Sequence, residues 1–284
     1  MNIGIRLHDT APGTLGQRLG FARDQGFSCV HLALSKVLPD FSMSGAPEKL
    51  DEALAAEVRG ALTANRMGCA VLGCYLKLPS RDGEELRRTR EIYRAHLRFS
   101  RMIGAGVVGT ETPPAASAGL SAREIASDEA LEWFVRCAAP VARWAEEEGA
   151  VLAIEPVCEH IVSTPERAER VLEALGSESV RIILDPVNLL RSDMIEGAEA
   201  LFEDAVRRLG DRVSVVHMKD YVEAPDRPRP GFIACGQGEM RYDAVLELAR
   251  RRELPITLEN TAPENAESAR LFLERVAAGM EAMS

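Results

Sequence analysis

Apolar residues along this chain fall into two alternating kinds of segment. Short runs such as 151–155, 180–185, 213–217 and 255–259 are almost continuously aliphatic, and many of their residues are β-branched. Between them lie longer stretches whose apolar positions recur every three or four residues, as in Phe134, Cys137, Val141 and Trp144. Continuous short runs predict strands buried on both faces, as in a parallel sheet, and the wider spacing predicts amphipathic helices. Taken in order, the predicted strands are 3–7, 29–33, 68–74, 105–109, 151–155, 180–185, 213–217 and 255–259. The predicted helices are 14–25, 47–66, 82–103, 127–148, 164–175, 197–209, 242–252 and 263–278. Gly26 suits a helix C-cap, Ser127 and Thr164 suit N-caps, and Pro165 follows at the first helical position. Pro140 predicts a kink inside its helix.

Strand and helix alternate eight times with no linker between them, which predicts an α/β protein, a (β/α)8 TIM barrel forming a single domain over residues 1–284. The rival is an open doubly wound sheet, which would carry a Gly-rich phosphate turn after an early strand. Residues 3–12 contain no such turn. Gly236-Gln-Gly238 comes late and reads either as a tight turn or as a phosphate cradle. The long segments 34–46 and 112–121 follow strands and are expected on the end of the barrel that carries active sites.

Four of the runs end in a side chain able to bind a metal: Glu155, Asp185, His217 and Glu259. Side chains just past the C-terminal ends of barrel strands point into one mouth, so these four are expected to converge. Three carboxylates and a neutral imidazole suit a divalent cation. Mn²⁺ leads, with Mg²⁺ or Co²⁺ also suited and Zn²⁺ an alternative. Near them, Lys219 is expected either to neutralise a substrate or to pair with an acid such as Asp220. Glu159 and His160 are expected to meet substrate hydroxyls or to form loop surface, and His8, His31 and Glu111 to line the mouth or to be structural.

Composition narrows the partners. A net charge of −10 argues against a nucleic-acid surface, because that affinity rests on Lys and Arg neutralising phosphates. The arginine-dense stretch 81–101 reads as a solvated helix face, with His96 exposed on it. Six cysteines show neither a CxxC pair nor a repeated spacing, and no apolar stretch reaches the roughly 18 residues that suggest a membrane span. The expectation is a reduced, cytoplasmic protein.

The strand ends of the second half carry a resemblance. Ile-Glu155-Pro, Leu-Asp185-Pro-Val-Asn, His217-Met-Lys-Asp, Gly236-Gln-Gly-Glu and Leu-Glu259 resemble the sugar isomerase and epimerase superfamily with the xylose-isomerase-like barrel, ketose 3-epimerases above all. The resemblance implies that Glu155, Asp185, His217 and Glu259 bind the metal. It also implies that Glu155 and Glu259 act as acid and base on opposite faces of a carbon next to a carbonyl, and that a metal-stabilised enediolate lies between the two proton transfers. The substrate would be a small sugar or a polyol-derived compound, and such barrels often form homo-oligomers. A dehydratase of an inosose or an eliminating enzyme of an oxidised glycoside would share the first step. A non-catalytic sugar-binding barrel or complex subunit is the rival of another class, and an apurinic endonuclease is disfavoured by only five histidines. Two positions depart from the ketose 3-epimerases: Asn188 stands where they have a histidine, and Glu223 where they have an arginine, with Arg227 and Arg229 following. Asn188 and Arg227 are therefore the substrate-contact candidates at those places.

Overall fold

The eight apolar runs lie side by side as parallel strands and close on themselves. In the computed structural model, which describes residues 1–281, they form β1 (Ile3–Arg6), β2 (Cys29–Leu32), β3 (Gly68–Gly73), β4 (Val107–Glu111), β5 (Leu152–Glu155), β6 (Val180–Leu184), β7 (Val213–Met218) and β8 (Ile256–Leu258). β1 pairs with both β2 and β8, which makes the sheet a closed barrel with its strands in sequence order. The principal helices follow the strands in turn. They are α1 (Leu15–Asp24), α2 (Glu52–Asn65), α3 (Gly83–Ile103), α4 (Asp128–Glu147), α5 (Pro165–Leu175), α6 (Ala198–Leu209), α7 (Asp243–Arg251) and α8 (Ala266–Glu281). Among the described residues, no helix is long and apolar enough to cross a membrane.

Several boundaries differ from the pattern for local reasons. The helix expected at 47–66 is split, because the Asp51 side chain accepts from Leu54 N at 2.8 Å and starts α2 afresh. β4 begins two residues later than expected, since the Ala105 amide is spent on Ser100 O in closing α3. The segment after β4 holds two one-turn helices, Ala115–Ala118 and Ala122–Ile125. α4 runs through Pro140 as one helix. After β7 a two-stranded antiparallel ribbon, Asp220–Val222 with Gly231–Ile233, emerges where no strand was expected; three residues per strand are too few to show a period of two.

The barrel places the site through the alternation of side chains. Cys29, Val71, Val107, Ala153, Ile183 and Val215 pack together as a cluster separate from the larger layer beneath the helices. Residues two positions further along a strand share its face, so Glu155 stands above Ala153, Asp185 above Ile183 and His217 above Val215. Gly109 belongs to the same crowded interior: a Cβ there would lie 2.7 Å from Val71 Cγ1 and 3.0 Å from Ile183 Cδ1.

His96 is fully buried on α3 rather than solvated. Its Nδ1 lies 2.8 Å from Ile92 O and its ring meets the edge of Phe41. Burial pushes its pKa down to about 4. The unfolded chain therefore takes up a proton between about pH 6.5 and 4 that the folded chain refuses, and stability falls as pH drops through that window. A His96→Gln variant is expected to lack this component, which amounts to roughly 3 kcal/mol at the acid end. Urea unfolding of both proteins from pH 7 to pH 4 measures the difference in slope.

Candidate metal centre at the barrel mouth

Glu155 is the last residue of β5, His217 lies one residue before the end of β7, and Asp185 and Glu259 are the first residues beyond β6 and β8. All four are buried. Their donor atoms form two overlapping groups, each within 4.8 Å: Glu155, Asp185 and His217, and His31, His217 and Glu259. His217 belongs to both. Its Nδ1 lies 3.2 Å from Glu155 Oε2 and 3.2 Å from Glu259 Oε1, yet neither ring nitrogen makes a hydrogen bond of good geometry. A buried polar atom is ordinarily satisfied. An unpaired imidazole facing two carboxylates is what a ligand set presents, and this donor chemistry fits a divalent cation.

The cluster is held by buried positive charge. Lys219 Nζ lies 2.6 Å from Asp185 Oδ2, 3.2 Å from Glu259 Oε2 and 2.9 Å from Asn188 Oδ1. Its partners are therefore these groups and not Asp220. Burial works against the ammonium, but the carboxylates of Asp185 and Glu259 outweigh it and push the pKa up to about 12. Burial alone would raise the Glu259 carboxyl; Lys219, then His217 and Arg6, pull it well below the ordinary carboxylate range. Arg6 Nη1 is 3.6 Å from Glu259 Oε2.

Asn188 is the hub of the polar network. Its Nδ2 donates to Glu155 Oε1 at 2.5 Å, while its Oδ1 accepts from Lys219 Nζ and, at 2.9 Å, from Arg229 Nη2. Two cations on one end and a carboxylate on the other leave the amide one orientation. Arg227, expected to contact substrate, is exposed, whereas Arg229 is turned back toward Asn188 with its guanidinium over Phe232 at 4.6 Å. Asp220 has a different task from its neighbours. Its carboxylate accepts from the amides of Tyr221, Gly236, Gly238 and Met240 and from the Tyr242 hydroxyl. The loop read as a phosphate cradle thus wraps around an anion of the chain itself, and a Cβ on Gly238 would come 2.6 Å from that carboxylate.

The mouth gathers further groups from the first half of the chain. His31 stacks on His217 at 5.2 Å and Tyr75 lies 5.6 Å from His31, with the Tyr75 hydroxyl and both His31 nitrogens buried and unpaired. His8 is partly exposed, 6.4 Å from His31 and next to Asp9. Glu111 stands opposite Glu155 in the β4–β5 register, and burial, then the charges of Glu155 and Glu259, push its carboxyl up to about 7. Arg6 and Tyr75 were not singled out from sequence. Each sits two residues after a strand glycine, Gly4 and Gly73, and the alternation that places Glu155 over Ala153 marks them too. Glu159 and His160 are set apart from the carboxylates and line a neighbouring cavity of about 490 Å³.

The profile of the xylose isomerase-like TIM barrel family matches residues 19–276. The chain belongs to that family. No curated protein sequence matches it. Among solved structures, a D-tagatose 3-epimerase-like protein is 14% identical with a TM-score of 0.75, each chain covered over 100% of its length. The 3-keto-D-glucoside 4-epimerase YcjR from E. coli is 15% identical with a TM-score of 0.72, over 97% of this chain and 99% of that one. The IOLI protein, solved with a zinc atom, is 16% identical with a TM-score of 0.71, over 97% and 96%. At these identities the likeness is one of fold. Family membership accords with the strand-end pattern of the second half.

Removing one partner of a buried ion pair leaves an uncompensated charge and costs about 3–5 kcal/mol. Lys219→Met is expected to lose stability of that order in chelator-treated protein at pH 7. The loss is expected to shrink toward acid pH as the carboxylates take up protons, which chemical unfolding at several pH values will show.

Proposed function

We propose that the protein is a divalent-metal-dependent isomerase or epimerase acting on a ketose or a related polyhydroxylated carbonyl compound. The observation that carries this reading is the meeting of Glu155 and Glu259, from different strands, at one unpaired imidazole nitrogen. Glu155, Asp185, His217 and Glu259 would hold the cation, Mn²⁺ first and Mg²⁺, Co²⁺ or Zn²⁺ as alternatives, and His31 stands ready as a further donor. A bound divalent cation supplies Lewis acidity at a substrate carbonyl, without which an α-proton is too weakly acidic for a carboxylate.

The chain's own groups do the rest. A carbon seated between Glu155 and Glu259 has a carboxylate on each side. One removes the α-proton and the other returns a proton to the opposite face, which inverts the carbon. Asn188 fixes the orientation of the Glu155 carboxylate, and Lys219 brings a permanent positive charge beside Glu259. Arg229, in place of Arg227, and His8 at the rim complete the polar surround; Glu159 and His160 would meet the substrate further out.

A lyase is the second reading, favoured by Glu111. Dehydration needs a proton donor for the departing hydroxyl, and the Glu111 carboxyl, opposite Glu155 across β4 and β5 and pushed up by burial, is placed to supply one. A structural neighbour is described as a probable 3-DHS dehydratase, which supports keeping that reading.

The test is solvent deuterium exchange by the Mn²⁺-loaded protein into a panel of ketoses, inososes and 3-oxo-glycosides. Exchange is expected in one compound class and is expected to fall by about a hundredfold or more in Glu155→Gln and Glu259→Gln. Water loss with exchange would assign the lyase. Exchange in no compound would leave a binding protein.

A further inference from the structure

The three carboxylates of the centre are not equally free. Glu155 Oε2 and Glu259 Oε1 each lie 3.2 Å from His217 Nδ1. Asp185 is fully buried and has a donor on both oxygens: Oδ1 accepts from the amide of Asn188 at 3.0 Å and Oδ2 from Lys219 Nζ at 2.6 Å. A carboxylate oxygen keeps a second lone pair, so a hydrogen bond alone does not shut out an ion. The charge of the group that donates it decides more.

Lys219 links the two parts of the ligand set. Asp185 and Glu259 fall in different groups of close donors, the first with Glu155 and His217, the second with His31 and His217. The ammonium donates to both carboxylates, at 2.6 Å and 3.2 Å. It is 2% exposed and has the ring of Phe232 at 4.9 Å, so bulk water does not screen it. Held by these carboxylates, it keeps its proton at neutral pH. An ion that shared Asp185 or Glu259 with it would meet a full positive charge in a buried site, where like charges repel most strongly.

We propose that Lys219 is the resident counter-cation of this centre and that a divalent ion enters by exchange against it. The inference rests on the reading of Glu155, Asp185, His217 and Glu259 as metal ligands. The exchange moves no proton: the ammonium yields at least one of Asp185 Oδ2 and Glu259 Oε2 to the ion and stays charged. Lys219 then has two opposite effects. It steadies the metal-free centre, whose carboxylates would otherwise repel one another, and it lowers the affinity of that centre for the ion. A lysine that only supported the fold would have the first effect alone, and its loss would weaken metal binding together with the site.

Calorimetric titration of the chelator-treated protein with Mn²⁺ at pH 7 compares the wild type with Lys219→Met and Lys219→Gln, which remove the charge without and with a hydrogen-bonding end. Binding that is lost in His217→Gln is assigned to the centre. Both lysine variants are expected to bind there at least about tenfold tighter, because a repulsion inside a buried site has been removed. Release of Mn²⁺ from the loaded proteins to excess EDTA needs no folded metal-free state, and it is expected to be at least about tenfold slower in both variants. Affinity and release equal to the wild type's, or weaker binding with faster release, would refute the exchange and leave the ligand set standing. No binding at the centre in the wild type or in either lysine variant would refute the ligand set itself.

Discussion

Three carboxylates buried around one imidazole repel one another, and the mouth of this barrel is arranged to keep them together. Lys219 supplies the compensation from within, reaching Asp185 and Glu259 at once, and Arg6 adds to it from β1. Asn188 distributes that charge, receiving Lys219 and Arg229 on its oxygen while steadying Glu155 with its amide. His217 lies between two of the negative groups with no well-aligned hydrogen bond; burial works against its charged form, but the carboxylates of Glu155 and Glu259 outweigh that and raise its pKa.

That arrangement needs a scaffold that does not yield. The closed barrel provides it by fixing each side chain to the face of the residue two positions before it, above an interior too tight for a methyl group at Gly109. The ribbon after β7 completes the enclosure: its Phe232 covers Lys219 and Arg229, and Asp220 at its root ties down the loop from Gly236 to Met240. Adjacent residues of one tripeptide, Lys219 and Asp220, therefore serve two structures, one turned inward to the charge cluster and one outward to the loop.

The barrel and the convergence of its four strand-end side chains were legible in the sequence because both follow from periodicity: buried parallel strands show as short apolar runs, and a polar residue at the end of such a run stands out. Residues whose place depends on neighbouring strands were harder to read. His96 looked solvated among arginines, yet the face of α3 that carries it is buried against Phe41. That Arg229 rather than Arg227 reaches Asn188 could not be read, because the ribbon that turns it inward leaves no usable pattern in three-residue strands. Lys219 was expected to neutralise a substrate or to pair with an acid such as Asp220, and the barrel brings it acids 34 and 40 residues away. Gly236-Gln-Gly238 had the composition of an anion cradle, and the anion proved to be internal.

The central claim is that this cluster holds a divalent cation. Anomalous diffraction from crystals grown with Mn²⁺ tests it most directly. The account predicts a peak bounded by Glu155, Asp185, His217 and Glu259, with Lys219 turned from at least one of its carboxylates. Manganese bound only elsewhere on the protein, with His217 still unligated, would contradict it.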